Sequence, residues 1–137
     1  MDDCGVLVHM EAVRQISGGA AMVRVRSEAG VAVALWCGAP TDVGCERHVE
    51  WTVDDDVAWG GNTRPAEFPS PALSVNGRQV VFRGRLRLTG DGGVVLDVDG
   101  SQILFDVADP PPPIAVDGTW VEISVERDSV SLYPCLL

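Results

Sequence analysis

Two histidines, four cysteines and a scatter of carboxylates are the only groups in this chain able to bind a metal or activate a nucleophile. Cys4, Cys37, Cys45 and Cys135 contain no C-x-x-C pair. Cys37, Cys45 and His48 supply three potential zinc ligands, with Cys4 or Cys135 as a fourth, but the spacing matches no common zinc knuckle, so no metal is expected. His9 and His48 have Ser, Cys and Asp elsewhere in the chain for company, yet no nucleophile elbow frames a triad. Three consecutive carboxylates, Asp54, Asp55 and Asp56, point in different directions and lack the alternation and final Glu of a calcium loop; a hydrated turn is the reading. Glu122 and Glu126 recur on one strand face as solvated charges. Every basic residue is Arg, which removes the P-loop phosphate clamp, Schiff-base chemistry and the kinase strand lysine. These residues point away from catalysis, and no cofactor is expected.

The pattern that remains is a stripe. Arg83, Arg85 and Arg87 occupy alternate positions, so an extended backbone sends all three to one side. Arginine suits bidentate recognition of phosphate or carboxylate, and Arg78 lies close enough in sequence to extend the surface. Base stacking would call for aromatic side chains beside it; Phe82 and Phe105 fall on core positions, leaving Trp120 as a candidate, with Tyr133 unassigned. Trp59, followed by Gly60-Gly61-Asn62, is the tryptophan expected to be exposed and able to anchor a partner. Trp36 and Trp51 read as core. The competing account of the stripe is a solvated face neutralised by Asp97 and Asp99 on the next strand. From residue 73 onward the chain has 5 Arg against 9 acids, so even this half is negative.

Composition sets the frame for these residues. The 137-residue chain carries 10 basic and 20 acidic residues, a net charge of −10, so association with nucleic acid or an anionic membrane starts against long-range repulsion. Hydrophobic residues make up 46%, enough for a folded core. Two acids near the N-terminus and a short apolar run do not make a secretory signal, and no segment approaches the ~20 apolar residues of a helical span. A cytoplasmic location with free thiols is the expectation, with no membrane association.

The elements that must position the stripe are short and β-like. Val6 to Ile16 fits either a helix face or strand alternation, and Ser17-Gly18-Gly19 ends it. Met22 to Arg26 alternates, Glu28-Ala29-Gly30 turns, and Val31 to Trp36 returns as a buried strand. Gly38 to Gly44 is a loop, His48 to Val53 a strand, and Val57 to Trp59 closes the set. Residues 61–77, with Pro65, Pro69 and Pro71, read as a connector. Beyond it come Val80 to Leu88, Val94 to Val98, Gln102 to Val107, Trp120 to Glu126 and Val130 to Tyr133. The turns are Gly-rich at 89–93, Asp99-Gly100 and Asp117-Gly118, and the proline run 110–113 stands between the third and fourth strands. A shift of about 72 positions lays Val49 to Val53 on Val121 to Val125 and Ile16 to Gly18 on Leu88 to Gly90, the mark of an internal repeat. A repeat makes the first segment a strand.

Five short strands with a long break before the fourth, and the phrase from Gly118 to Glu126, resemble an OB-fold small barrel. The resemblance covers Val80 to Tyr133 best and Val6 to Trp59 more loosely. It implies an all-β chain of two small five-stranded barrels in tandem (1–60 and 78–137), with one continuous antiparallel β-sandwich as the alternative. It also implies a binding face on strands two and three, and it fixes no ligand. The function expected is non-enzymatic: an accessory module binding another protein. The alternatives are a single-stranded oligonucleotide binder using the Arg83, Arg85 and Arg87 face, or an acidic inhibitor or immunity-type protein steered onto a basic site.

Overall fold

The computed structural model describes residues 6–15, 21–38 and 44–135. Cys4, the Ser17-Gly18-Gly19 stop and the middle of the Gly38 to Gly44 loop lie outside the described residues. The chain is all-β, and its first segment, which fits helix or strand in sequence, is a strand. The strands are β1 (Val6–Gln15), β2 (Ala21–Ser27), β3 (Gly30–Trp36), β4 (Glu46–Val53), β5 (Thr63–Pro65), β6 (Ala72–Asn76), β7 (Gln79–Leu88), β8 (Val94–Val98), β9 (Ser101–Phe105), β10 (Trp120–Glu126) and β11 (Val130–Pro134). Short 3₁₀ turns at Ile114–Val116 and Arg127–Ser129 precede β10 and β11.

β1 to β4 lie in the spatial order β4-β1-β2-β3, a Greek key. Alternation explains the arrangement: Val8, Met10, Val23, Val25, Ala32, Ala34, Val49 and Trp51 point inward and are buried, while the residues between them face outward. β11 completes a ring. It runs antiparallel to β4, with Val130 opposite Val53 and Leu132 opposite Trp51, and parallel to β3 through Ser131–Leu35 and Leu132–Trp36. The result is a closed five-strand barrel, consistent with an OB-like small barrel. A bulge between Met10 and Ala12 leaves Glu11 unpaired in the ladder, and such bulges re-aim the side chain they carry.

Val130 to Tyr133 therefore differs from its place in the sequence reading. Its inward pair, Val130 and Leu132, suits the closed barrel as well as the strands that follow residue 77, and alternation alone does not say which. Residues 61–77 differ too: β5 and β6 lie inside the expected connector. Pro65 ends β5, and Pro69 and Pro71 fall between the two strands, where no ladder donor is required.

The second set of strands is built on β7. Its first half pairs with β6 and β10, and its second half pairs with β8, which continues to β9. The change of partner falls at Gly84, where a Cβ would stand 2.9 Å from the Asp97 carbonyl carbon and 3.0 Å from Val98 Cγ2. β5 pairs with β10, and Val57 forms a parallel bridge with Val107 beyond the end of β9. The two sets share one core. Trp51 of the barrel meets Phe82 of β7 edge-on with centroids 5.5 Å apart, and Phe82 meets Phe105 at 6.3 Å.

Candidate functional site

The outer face of β7, β8, β9 and β10 collects the stripe. Along β7, Val80, Phe82 and Leu86 are fully buried, so the intervening Arg83, Arg85 and Arg87 face outward. The register then sets their neighbours. One row across the sheet reads Trp120, Arg85, Asp97 and Gln102; the next reads Arg87, Val95 and Leu104.

The three arginines have different employment. Arg83 is largely covered, with 19% of its side chain exposed. Its Nε donates to the Ser70 carbonyl at 2.8 Å, its Nη2 to Ser70 Oγ at 3.2 Å, and its Nη1 to Glu122 Oε2 at 3.4 Å. Its guanidinium also stands 5.6 Å from the Phe68 ring centroid. Arg83 thus pins the 66–71 loop against the sheet. Arg85 is exposed and donates from Nη2 to the Gly118 carbonyl at 3.1 Å. Arg87 is exposed and its side chain has no hydrogen-bond or ion-pair partner among the described residues. Arg78, the proposed extension, reaches instead toward Glu126 (3.9 Å) and Asp128 (3.7 Å).

Trp120 is half-buried and directly opposite Arg85. Trp59, expected to be exposed, is half-buried and packs on the core, with its backbone N–H donating to the Pro110 carbonyl at 2.9 Å. The glycines that follow it make a turn rather than a tether. Asn62 holds that turn: its Oδ1 accepts from the Ala58 N–H and from Thr63 Oγ, both at 2.9 Å, and its Nδ2 donates to the Asp56 carbonyl at 2.7 Å.

Leu104 is not among the site residues expected from sequence. It is 70% exposed although it sits mid-strand between the buried Ile103 and Phe105. Its signal was present: a large aliphatic side chain on the outward phase of an alternating strand has no core to enter. Val95, also on the outward phase and flanked by Arg87 and Leu104, is nevertheless 8% exposed.

The closed barrel's outer face is occupied differently. Bulged Glu11 accepts from Arg26 Nε at 2.7 Å and from Arg24 Nε at 3.2 Å. The Arg26 hydrogen bond is the main influence holding the Glu11 carboxyl below its ordinary value; the Arg24 bond and both positive charges add to it, against some desolvation. These arginines are neutralised within the molecule. The histidines are also on this face, His48 opposite Leu7 and His9 opposite Glu46. Among the described residues no group of three metal-ligating side chains converges. In the Asp54 to Asp56 turn, Asp55 Oδ1 accepts from the Asp56 N–H at 2.9 Å. Cys37 and Cys45 are free and exposed, whereas Cys135 is disulfide-bonded rather than the free thiol expected. Among the described residues no helix is long and apolar enough to cross a membrane.

Comparison with known protein families, curated proteins and solved structures finds no match to this chain.

Proposed function

We propose that the chain is a non-enzymatic binding module, OB-like in its barrels, that docks another protein on the outer face of β7 to β10. The observation that carries this reading is the exposed Leu104, aligned through Val95 with an Arg87 whose side chain has no partner among the described residues. Protein interfaces concentrate their energy in such places, where an apolar anchor and an arginine lie side by side within a polar rim. Trp120, Arg85, Asp97 and Gln102 form that rim on one side. The net charge of −10 steers the module toward a basic partner surface, as it would an inhibitor or immunity-type protein.

The test compares the parent chain with Leu104→Asp and Arg87→Glu in cross-linking capture from the native host. Specific partners should be lost with both variants while the far-ultraviolet spectrum and unfolding midpoint stay unchanged, since both side chains are exposed. Partners retained by both variants would remove this face from consideration.

Single-stranded oligonucleotide is the second reading, favoured by Arg85 standing beside Trp120. Against it, β8 and β9 present Val95, Asp97, Gln102 and Leu104 outward, with no ring for a base to stack on. Tryptophan fluorescence titration with short DNA and RNA at two salt concentrations decides. Saturable, salt-sensitive quenching weakened by Arg85→Ala would favour it, and a flat response would retire it.

A further inference from the structure

We infer that the chain is a duplicated five-strand unit in which one copy is nested inside the other, so that segment 57–126 is an inserted body hinged at Asp54–Asp56 and Arg127–Ser129. The two rings have the same connectivity. In the first, the β1-β2-β3 meander is flanked by β4 on β1, and β11 closes the ring antiparallel to β4 and parallel to β3. In the second, the β7-β8-β9 meander is flanked by β10 on β7. There the closing segment runs from Val57 to Pro65, antiparallel to β10 and parallel to the end of β9.

The parallel seams match in their hydrogen bonds. Cys37 N–H donates to the Leu132 carbonyl at 2.9 Å in one ring, and Ala108 N–H donates to the Val57 carbonyl at 2.9 Å in the other. The copies differ in where the closing strand falls in the chain. In the outer ring it comes last, after the whole inner ring; in the inner ring it comes first. A tandem repeat whose two closing strands have changed places has this connectivity, and it accounts for the strand order that a simple tandem pair does not.

The entry and exit of the inner body adjoin. Val53 and Val130 are directly paired, and the Asp54 N–H donates to the Ser129 carbonyl at 2.8 Å. A strand pair with its ends this close needs only a turn, so the outer barrel is topologically complete without segment 57–126. Between the bodies lie a shared stretch of core around Trp51 and Phe82 and the single β3–β6 pair, Gly30 with Leu73. The face carrying Arg87 and Leu104 therefore belongs to a body whose chain enters and leaves the outer barrel at one place, and which is joined to it otherwise through the Trp51–Phe82 core and the β3–β6 seam.

Hydrogen exchange on the full chain, with Met10→Ala and Ile103→Ala as the two perturbations, tests this. Both side chains are fully buried, one in each ring. Met10→Ala should speed exchange in β1 to β4 and in β11 by roughly 30-fold or more, leaving Val57 and β7 to β10 far less affected; Ile103→Ala should do the reverse. If β11 follows Ile103→Ala and Val57 follows Met10→Ala, the copies are ordinary tandem halves and the inference fails. Uniform acceleration of all amides by either variant makes the chain one indivisible body and also overturns it. Should a variant not fold, the parent chain at rising sub-denaturing urea gives the same grouping: the Leu132 and Val57 amides must fall on different isotherms.

Discussion

Gly30→Ala should unfold the chain at markedly lower urea than Gly77→Ala, although both glycines hold positive φ. Gly30 stands at φ +141° at the start of β3 and Gly77 at φ +64° in the β6–β7 turn. Any L residue at either place is strained, by about 1–3 kcal/mol, and each gains a few tenths to about 1 kcal/mol from a stiffer unfolded chain. The space around them separates the two. Nothing lies within 4 Å of a Cβ at Gly77, whereas a Cβ at Gly30 would overlap the Leu73 carbonyl oxygen and stand 3.0 Å from its carbon and 3.2 Å from its nitrogen. Those are backbone atoms held by the Leu73 N–H to Ala29 carbonyl bond at 2.9 Å, so they do not yield as a side-chain tip would. Overpacking of this kind costs about 1–3 kcal/mol. With m about 2 kcal/mol/M in urea, Gly30→Ala should fall about 0.5–1.5 M below Gly77→Ala at the midpoint. Fluorescence of the four tryptophans reports the transition. Equal midpoints for the two variants would refute the close β3–β6 seam and with it the tight join between the barrel and the second sheet.

Leu132→Ala removes a fully buried side chain from the strand that closes the barrel and should cost about 2–5 kcal/mol in urea unfolding; a loss under about 1 would argue that β11 is not the closing strand. Asn62→Ala strips three hydrogen bonds from the turn after Trp59 and should cost about 1–3 kcal/mol, against less than about 0.5 for the exposed Asn76→Ala, both read by thermal unfolding. Tyr133 is the sole tyrosine, so its phenolate absorbance titrates alone. Its hydrogen bond with Cys37 is the main cause holding the phenol above its ordinary 10.0, and Cys37→Ala should bring the midpoint back toward that value. Because the folded value is raised, the stability tied to this group is present below the unfolded midpoint and is lost as pH rises through the folded one.

What the sequence made legible follows the reach of each signal. Turn signals on either side bound β8, alternation and the Asp117-Gly118 turn bound β10, and the two-residue period sends Arg83, Arg85 and Arg87 to one face. Partner choice has no such period. Val130 and Leu132 would fill either ring, and only the three-dimensional path through Asp54 and Ser129 assigns them. Val57 to Trp59, expected to close the first set, instead bridges Val107 beyond β9, while β11 closes the barrel. The 57–65 segment lacks a continuous strand signal because it pairs in two pieces, at Val57 and at Thr63 to Pro65, around a Gly60-Gly61 turn. Thr63 is fully buried there, a polar residue tolerated because Asn62 supplies its partner. Arg83 and Ser70 lie thirteen residues apart and are joined only by the folding of the loop.

The distribution of arginines decides between partners better than their number does. A nucleic-acid surface needs cations left free for phosphate, yet Glu11 takes Arg24 and Arg26, Glu122 takes Arg64 and Arg83, and Glu126 with Asp128 takes Arg78. Among the described side chains, Arg85, Arg87 and Arg127 are the arginines with no carboxylate partner, in a chain of net −10. That is too few to offset the repulsion of a phosphate backbone, since each released counterion contributes through one neutralised phosphate. Arginine and tryptophan are, however, residue types enriched in protein hot spots, and on the proposed reading the exposed Leu104 beside them adds a small apolar centre to desolvate while charge supplies the orientation. The surrounding acid then favours the partner rather than opposing it, provided that partner is basic around the point where it meets Leu104.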